Sequence, residues 1–290
     1  MMFHFIINPK AGKGKSLKAL EYAKQKFFEK GVPYTVHFTD HPKHATQIAK
    51  ELTEQGERDI IAIGGDGTLN EVLNGLACPQ DARLGLIPAG TGNDFASNAG
   101  ISRKYQTAVE QLLSTTAKPT DYMQMEGVRG INVIGTGLDV EVLENCKKAK
   151  IFRGKIQYVL SLIKTVITFR FFDFTRKMNG ETDRQSAMIA CVGNGRNFGG
   201  GIPICPDAVI DDGQMDCVVV GKIKKITIPS AFTALMRGKI LKKKYVTCSR
   251  TEVVEIIPDI PRTVQVDGEL YDDLPFRVQL IKGGLNFYRP

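Results

Sequence analysis

The sequence lacks several features that mark common functional classes. Its six cysteines stand far apart without a Cys-x-x-Cys pair, which argues against a zinc site and for a reduced chain. No basic segment precedes the apolar run at residues 3–7, and that run is too short for a signal peptide or a membrane span. Internal repeats and low-complexity linkers are also absent. We therefore expect a folded, cytoplasmic protein.

The composition of the chain is ordinary for a folded soluble protein. Its 290 residues are 42% hydrophobic and 24% charged, enough for a large core and two domains. The formal net charge of +8 suits an anionic partner, whether nucleotide, nucleic acid or acidic membrane. No DNA- or RNA-binding motif accompanies the charge, so we expect no nucleic-acid partner.

The first 120 residues alternate between the periods of strands and helices. Residues 59–63 form a continuous apolar run typical of a strand buried on both faces, and apolar residues at helical spacing follow from Leu69 to Leu76. Ser16 is predicted to cap the first helix. The alternation predicts a doubly wound α/β domain, a parallel sheet with helices on both faces.

The pattern of predicted secondary structure changes after about residue 120. Strand-like segments then follow one another between Gly, Pro, Asn and Asp residues, which predicts an antiparallel β-sandwich domain. Two helical stretches, residues 155–172 and 228–244, interrupt these segments. The fold class is therefore α/β plus all-β.

The stretch NPKAGKGKS, residues 8–16, looks like a phosphate-binding P-loop. Its end matches that motif, but Pro9 stands where the motif needs its first glycine. Proline has a fixed φ and no N–H donor, so it cannot wrap a phosphate as glycine does. We reject the P-loop; the turn suits an anion in another way, or it is an ordinary basic surface turn.

Two glycine-rich loops follow neighbouring predicted strands. GGDGTLNEV, residues 64–72, places Asp66 among glycines at a strand end, and IPAGTGNDFA, residues 87–96, places Asp94 in the same way. A carboxylate among phosphate-binding amides would repel phosphate unless it holds a cation or accepts a proton. Since ligands bind at the carboxyl ends of parallel strands, the two loops predict one crevice for a metal-bridged nucleotide. The alternative is a pair of turns shaped by Gly and Asp.

The motif NPKAG stands before these loops, and GNGRNFGGG, CPDAVIDDG and VDGE stand after them. Together these motifs resemble the diacylglycerol kinase catalytic family, in particular its small bacterial soluble lipid kinases. The resemblance covers nearly the whole chain. It implies an ATP-binding α/β domain of residues 1–120 with a returning segment at about 278–290. A β-sandwich of residues 121–277 would complete the active site and the lipid site.

The resemblance also implies the site residues. The ATP site would comprise Asn8, Pro9, Lys10, Ala11, Gly12, Thr39, Gly65, Asp66, Gly67, Thr68, Leu69, Asn70, Glu71 and Thr91. Asp212 would bind Mg²⁺ with the carbonyls of Val209 and Gln214, where the alternative is a surface turn. Glu269 is the favoured general base, with Asp267 and Asp66 as the other candidates. On a strand end Asp267 and Glu269 would point the same way; the alternative there is an Asp-Gly hairpin turn.

We thus expect an ATP- and Mg²⁺-dependent lipid kinase, a transferase of phospholipid biosynthesis that converts diacylglycerol to phosphatidic acid. One alternative is a soluble-metabolite kinase like the NAD kinases, which share GGDGT; the other is a non-catalytic nucleotide- or lipid-binding regulator. The basic and apolar residues 147–172 form either a peripheral contact with anionic membrane or a core helix. A homodimer is compatible with the sequence.

Overall fold

The computed structural model of the chain describes residues 2–149, 165, 168–272 and 274–290. The predicted membrane segment 147–172 and the predicted helix 155–172 therefore lie largely outside the described residues. Among the residues described, no helix combines the length and the apolar character needed to cross a bilayer.

The N-terminal region is a parallel sheet with helices on both faces, as the sequence predicts. Its strands run in the order β2-β1-β3-β4. They are β1 (Phe3–Ile7), β2 (Tyr34–Phe38), β3 (Asp59–Gly64) and β4 (Arg83–Pro88), and the helices are α1 (Lys15–Glu29), α2 (His44–Glu54), α3 (Asp66–Gly75), α4 (Asp94–Asn98) and α5 (Tyr105–Ser114). One face packs on α1 and α5 and the other on α2 and α3, which explains why β3 is buried along its whole length.

The first helix begins differently from the prediction. Its N-cap is Gly14, whose φ of 89° is left-handed, and the helix already includes Ser16. The Ser16 hydroxyl donates instead to the Ala11 carbonyl at 3.3 Å. The capping role predicted for Ser16 is therefore wrong, because a 3-10 turn at Ala11–Gly14 precedes the helix and fixes its start.

The C-terminal region is mainly antiparallel and sandwich-like, which confirms the predicted fold class. Its strands are β5 (Ala117–Met125), β6 (Val128–Gly130), β7 (Val133–Gly137), β8 (Phe172–Met178), β9 (Glu181–Gly193), β10 (Asn197–Phe198), β11 (Ile202–Pro203), β12 (Met215–Gly221), β13 (Val246–Thr251), β14 (Val253–Pro258), β15 (Val264–Val266), β16 (Glu269–Tyr271) and β17 (Phe276–Tyr288). Among the described residues, this region also contains helices α6 (Leu138–Ala149) and α7 (Ile228–Met236) and the 3-10 turns Lys225–Thr227 and Ile240–Lys242.

The last strand joins the two regions into one sheet. The first half of β17 pairs antiparallel with β14, and its second half pairs parallel with β4 at Asn286 and Phe287. Strand β5 pairs antiparallel with β17 from Ala117 to Gln124. The carboxyl ends of β3 and β4 are thereby held in a fixed relation to the sandwich.

Buried Asp121 on β5 ties this junction together. Its two carboxylate oxygens accept hydrogen bonds from the Gly283 amide at 2.6 Å and the Gly213 amide at 2.8 Å. Gly283 lies where the register of β17 against β5 shifts. Residues 117–125, at the boundary predicted from the sequence, therefore form strand β5, which lies along β17 at the junction.

Candidate active site

The two glycine loops meet at one edge of the parallel sheet. Gly64 at the end of β3 is paired with Pro88 at the end of β4, so α3 and α4 begin side by side. The loops approach so closely that a Cβ on Gly90 would lie 2.5 Å from the Gly65 Cα. A side chain there would push the loops apart, so glycine is required for their contact.

Asp66 and Asp94 are brought together by these loops. The Asp66 Oδ1 accepts a hydrogen bond from the Phe95 amide at 3.1 Å, which holds this half-buried carboxylate at the start of α4. Asp94 is buried, and its Oδ2 accepts from the Gly200 amide at 2.8 Å. Its Oδ1 is buried without a hydrogen-bond partner among the described residues. Burial, together with the nearby negative charge of Asp66, raises the pKa of Asp94.

A cleft of about 150 Å³ lies between the two regions of the chain. The N-terminal region contributes Asp66 and Asp94, and the sandwich contributes Asp267, Gln265 and the β10–β11 hairpin, including Gly200. Asp94 is not among the site residues that the resemblance implies. Its position in the second loop, one residue after Asn93, was the available signal.

Asp267 anchors the segment that enters β7. Its Oδ1 accepts from the amides of Asn132 at 2.9 Å and Val133 at 3.0 Å, and its Oδ2 accepts from the Ile131 amide at 2.7 Å and the Asn70 side chain at 3.1 Å. Burial raises the pKa of Asp267, and these donors oppose the rise. The carboxylate is thus fully engaged in hydrogen bonds before any substrate is present.

Glu269 does not share a strand end with Asp267. Asp267 and Gly268, with φ of 49° and 91°, form the turn of a hairpin in which Val266 pairs with Glu269. The expectation that the two residues stand on one strand end is wrong, because the Asp-Gly pair adopts the tight turn that this dipeptide favours. Glu269 is exposed and is not among the residues that line the cleft.

A second cavity, of about 250 Å³, lies beside the cleft. It collects five of the predicted nucleotide residues, Asn8, Lys10, Thr39, Thr68 and Glu71. Of the others, Leu69 is buried in the core, the Asn70 side chain donates to Asp267, and Thr91 is exposed.

The turn after β1 is shaped by its own polar groups. The Asn8 amide donates to the Ile63 carbonyl at 3.2 Å, and the Asn8 Oδ1 accepts from the Lys10 amide at 3.0 Å. Gly12 has a left-handed φ of 57°, and a Cβ there would lie 1.9 Å from the Ala89 carbonyl oxygen. The glycine lets this turn pack directly against the loop after β4.

Glu71 connects the second cavity to α2. Its Oε2 accepts from the Ala45 amide at 3.2 Å, and its carbonyl accepts from the Thr46 hydroxyl at 2.9 Å. Because the carboxylate faces the positive end of a helix, its negative charge is stabilised there.

The predicted Mg²⁺ residues lie in an acidic turn tied to Asp121 through Gly213. Asp212 is exposed; its Oδ1 accepts from the Gln214 amide at 3.0 Å, and its Oδ2 is paired with Arg250. Arg250 also lies 3.7 Å from Asp216, whose Oδ2 is buried without a partner in the described chain. Burial, with the charges of Asp207 and Asp212, raises the pKa of Asp216. Two carboxylates, Asp212 and Asp216, thus share one arginine in this turn.

One further group, outside the residues predicted as metal ligands from the sequence, could bind a metal. Within the described ranges, only Asp40, His41 and His44 bring three ligand atoms together. The His44 Nδ1 lies 2.7 Å and the His41 Nε2 3.3 Å from the Asp40 Oδ1, and the imidazoles stack with centroids 4.6 Å apart. Ordinary Asp–His hydrogen bonds on an exposed rim account for this arrangement.

Comparison with known proteins agrees with this architecture. Residues 2–125 match the diacylglycerol kinase catalytic domain, and residues 132–289 match the YegS C-terminal NAD kinase beta sandwich-like domain. A protein of Bacillus subtilis (strain 168) named "Diacylglycerol kinase" is 31% identical over 274 residues, covering 93% of this chain and 90% of the relative. A Xanthomonas oryzae pv. oryzae protein named "Probable lipid kinase YegS-like" is 30% identical, covering 90% of this chain and 88% of the relative.

Solved structures show the same fold. The crystal structure of a protein from Bacillus anthracis str. Sterne, described as a "putative diacylglycerol kinase", superposes with a TM-score of 0.83 at 29% identity. The match covers 100% of this chain and 95% of that protein. A diacylglycerol kinase from the same organism, 21% identical, superposes with a TM-score of 0.75 and supports the fold alone. Fold and sequence together define an enzyme, a phosphotransferase. The chain belongs to the diacylglycerol kinase catalytic family of lipid kinases.

Proposed function

We propose that the protein is an ATP- and Mg²⁺-dependent kinase that transfers the γ-phosphate to the hydroxyl of diacylglycerol and makes phosphatidic acid for phospholipid synthesis. The observation that carries the proposal is the cleft in which Asp66 and Asp94 face the sandwich, together with the cavity lined by Asn8, Lys10 and Thr68. The name of the Bacillus subtilis relative supports diacylglycerol as the acceptor.

ATP would lie across the cavity and the cleft. The cavity lining carries two carboxylates, Asp40 and Glu71, against one lysine, Lys10, so the part away from Lys10 suits the nucleoside end better than the phosphates. The N-terminus of α3 offers main-chain amides, the Thr68 hydroxyl and a positive helix end, which suit the phosphates. The triphosphate would then run from Asn8 and Lys10 toward Asp66.

Asp66 and Asp94 are the residues that would hold Mg²⁺ with the phosphates. The buried Oδ1 of Asp94 lacks a partner among the residues described, and the repulsion between the two carboxylates would be relieved by a cation. Bound there, the ion would neutralise charge on the transferred phosphoryl group. The Asp212 turn, with the carbonyls of Val209 and Gln214, is proposed as a separate Mg²⁺ site in which the cation displaces Arg250.

The proton of the acceptor hydroxyl would go to a carboxylate. Asp267 is poorly suited, because each of its oxygens already accepts two hydrogen bonds. Glu269 does not line the cleft, but it directly follows Gly268, which lines the cleft together with Asp66. We assign Glu269 as the general base and Asp66 as the cation ligand.

The proposal is tested by phosphate transfer from γ-labelled ATP to diacylglycerol in mixed micelles. Asp66→Asn should reduce turnover by roughly two or more orders of magnitude, the scale of losing an essential acid–base or metal-orienting group. Asp81→Asn removes the same charge from an exposed loop and is the matched control. Normal turnover of a folded Asp66→Asn protein would refute the assignment.

A soluble acceptor is the second candidate function. The match of residues 132–289 to an NAD kinase beta sandwich-like domain is the observation that favours it. Thin-layer chromatography separates the two: labelled product that stays in the aqueous phase would support a soluble-metabolite kinase. ATP binding without transfer to any acceptor would support a non-catalytic regulator instead.

We also propose that the protein is cytoplasmic and contacts anionic membrane peripherally. Because residues 147–172 lie largely outside the described part of the chain, their contact with lipid stays a prediction. Assembly as a homodimer likewise stays a prediction, to be tested by sedimentation.

A further inference from the structure

One described stretch of the chain carries positive charge without any acidic residue. No Asp or Glu stands between Asp216 and Glu252, whereas nine basic residues do, one more than the net charge of +8. They are Lys222, Lys224, Lys225, Arg237, Lys239, Lys242, Lys243, Lys244 and Arg250. Residues 145–172 form a comparable block with seven basic and no acidic residues, but they lie largely outside the described residues. The stretch after Asp216 is described throughout, and it can attract an anionic partner.

The same stretch exposes large apolar side chains around α7. Ile226 is 88% exposed, Phe232 54% and Met236 49%. Phe232 and Met236 are four residues apart, so they lie on one face of the helix, while Ala234 is buried against the sandwich core. We call Lys224, Ile226, Phe232, Met236, Arg237 and Lys239, all exposed, the α7 surface.

The positive charge of the α7 surface distinguishes between two partners that could cover it, a second copy of the chain and an anionic bilayer. A second copy would bring its own basic residues against these and be repelled unless it used another face. An anionic bilayer offers negative headgroups for the lysines and an apolar interior for Ile226, Phe232 and Met236. The combination of apolar tips with a one-sided charge fits the bilayer.

The α7 surface adjoins the cleft through one hairpin. Helix α7 packs against β11, and Gly238 lies beside Pro203, where a Cβ would be 3.8 Å from the proline Cγ. At the other end of the hairpin, the Gly200 amide donates to Asp94, and Phe198 lines the cleft. A membrane on the α7 surface would thus lie next to the entrance of the cleft.

We infer that the α7 surface docks the enzyme on anionic membranes and places the cleft beside the lipid. The delivery of an acceptor rests on the proposed function, but the docking does not. Vesicle binding tests the docking alone, and its result stands whether or not diacylglycerol is phosphorylated.

The experiment measures sedimentation with vesicles of phosphatidylcholine with and without phosphatidylglycerol. Lys224→Glu combined with Lys239→Glu should weaken binding to the anionic vesicles about 30-fold or more, because each basic residue near such a surface contributes about 1 kcal/mol to binding. Phe232→Ser combined with Met236→Ser removes the apolar tips. It should weaken binding by at least about tenfold and leave the thermal midpoint unchanged, because both side chains are already exposed.

The matched control is Phe28→Ser combined with Lys30→Glu, on the exposed side of α1. It should leave vesicle binding unchanged, and all variants should keep turnover on a short-chain soluble lipid. Unchanged binding of both α7 variants would overturn the inference. So would a dimeric wild type that the α7 variants convert to monomers, because the surface would then belong to a second copy.

Discussion

Replacing Asp267 by Asn separates an anchoring role from a catalytic one. Asparagine keeps the shape of the side chain and tolerates the left-handed backbone at this position, where φ is 49°. It keeps only one acceptor oxygen, however. If that oxygen faces Asn132 and Val133, the new amide group opposes two donors, the Ile131 amide and the Asn70 side chain.

Two hydrogen bonds to a charged group are therefore lost, each of which contributes about 1.5–3 kcal/mol. Part of this loss is offset, because the substitution also removes the negative charge of Asp267, which burial had partly desolvated. We expect the free energy of unfolding to fall by about 3 kcal/mol, and the thermal midpoint by about 5–10 °C. Urea denaturation followed by circular dichroism measures the first quantity.

Turnover at a temperature where the variant is fully folded gives the second measurement. If Asp267 is an anchor, the substitution should lower turnover less than about tenfold. If Asp267 is the general base, it should lower turnover about 10²–10⁴-fold and leave the stability unchanged. A double-mutant cycle with Asn70→Ala should show a coupling of about 1 kcal/mol, because the two residues are hydrogen-bonded. Full stability with lost turnover would refute the anchoring role.

Three further predictions concern single residues. Gly12→Ala should destabilise the protein and raise the KM for ATP, because its Cβ would lie 1.9 Å from the Ala89 oxygen; Gly14→Ala, with φ 89° but nothing within 4 Å, should cost only about 1–2 kcal/mol of backbone strain. Burial raises the pKa of Asp139 to about 6, so the native state holds this proton more tightly than the unfolded chain does. The resulting stability is complete below about pH 4 and is lost as the pH rises through 6, by about 3 kcal/mol; urea titrations of Asp139→Asn should lack this loss. Asp212→Ala should raise the Mg²⁺ concentration for half-maximal activity several-fold if the residue is a ligand, and an unchanged titration would leave it as the partner of Arg250.

The sequence predicts the N-terminal sheet well because its signals are local. A continuous apolar strand such as Asp59–Gly64 and the helical spacing after it report directly on burial. The two glycine loops could also be placed at one crevice, since parallel topology alone brings strand ends together. Asp66 and Asp94 were accessible to this reasoning for the same reason.

The remaining features depend on contacts that are distant in sequence. The sequence around Asp121 gives no signal for its structural role, because its two hydrogen-bond partners, Gly213 and Gly283, lie far along the chain. The Asp267-Gly268 dipeptide predicts a hairpin and a strand end equally well until its pairing partner is known. Likewise, the pairing of Asp212 with Arg250 depends on the alignment of β12 with β13.

The continuity of the sheet limits how an acceptor can reach the cleft. A rotation of the two regions would break main-chain pairing of β17 on both sides, with β14 and β5 as well as β4. The β10–β11 hairpin is a far weaker element, with two residues in each strand and three consecutive left-handed glycines, Gly199–Gly201, at its turn. Its Gly200 amide contacts Asp94, while β11 contacts α7. Movement of this hairpin would therefore break fewer main-chain pairs than a rotation of the two regions, and the hairpin contacts both the cleft and helix α7, whose exposed face we assign to the membrane.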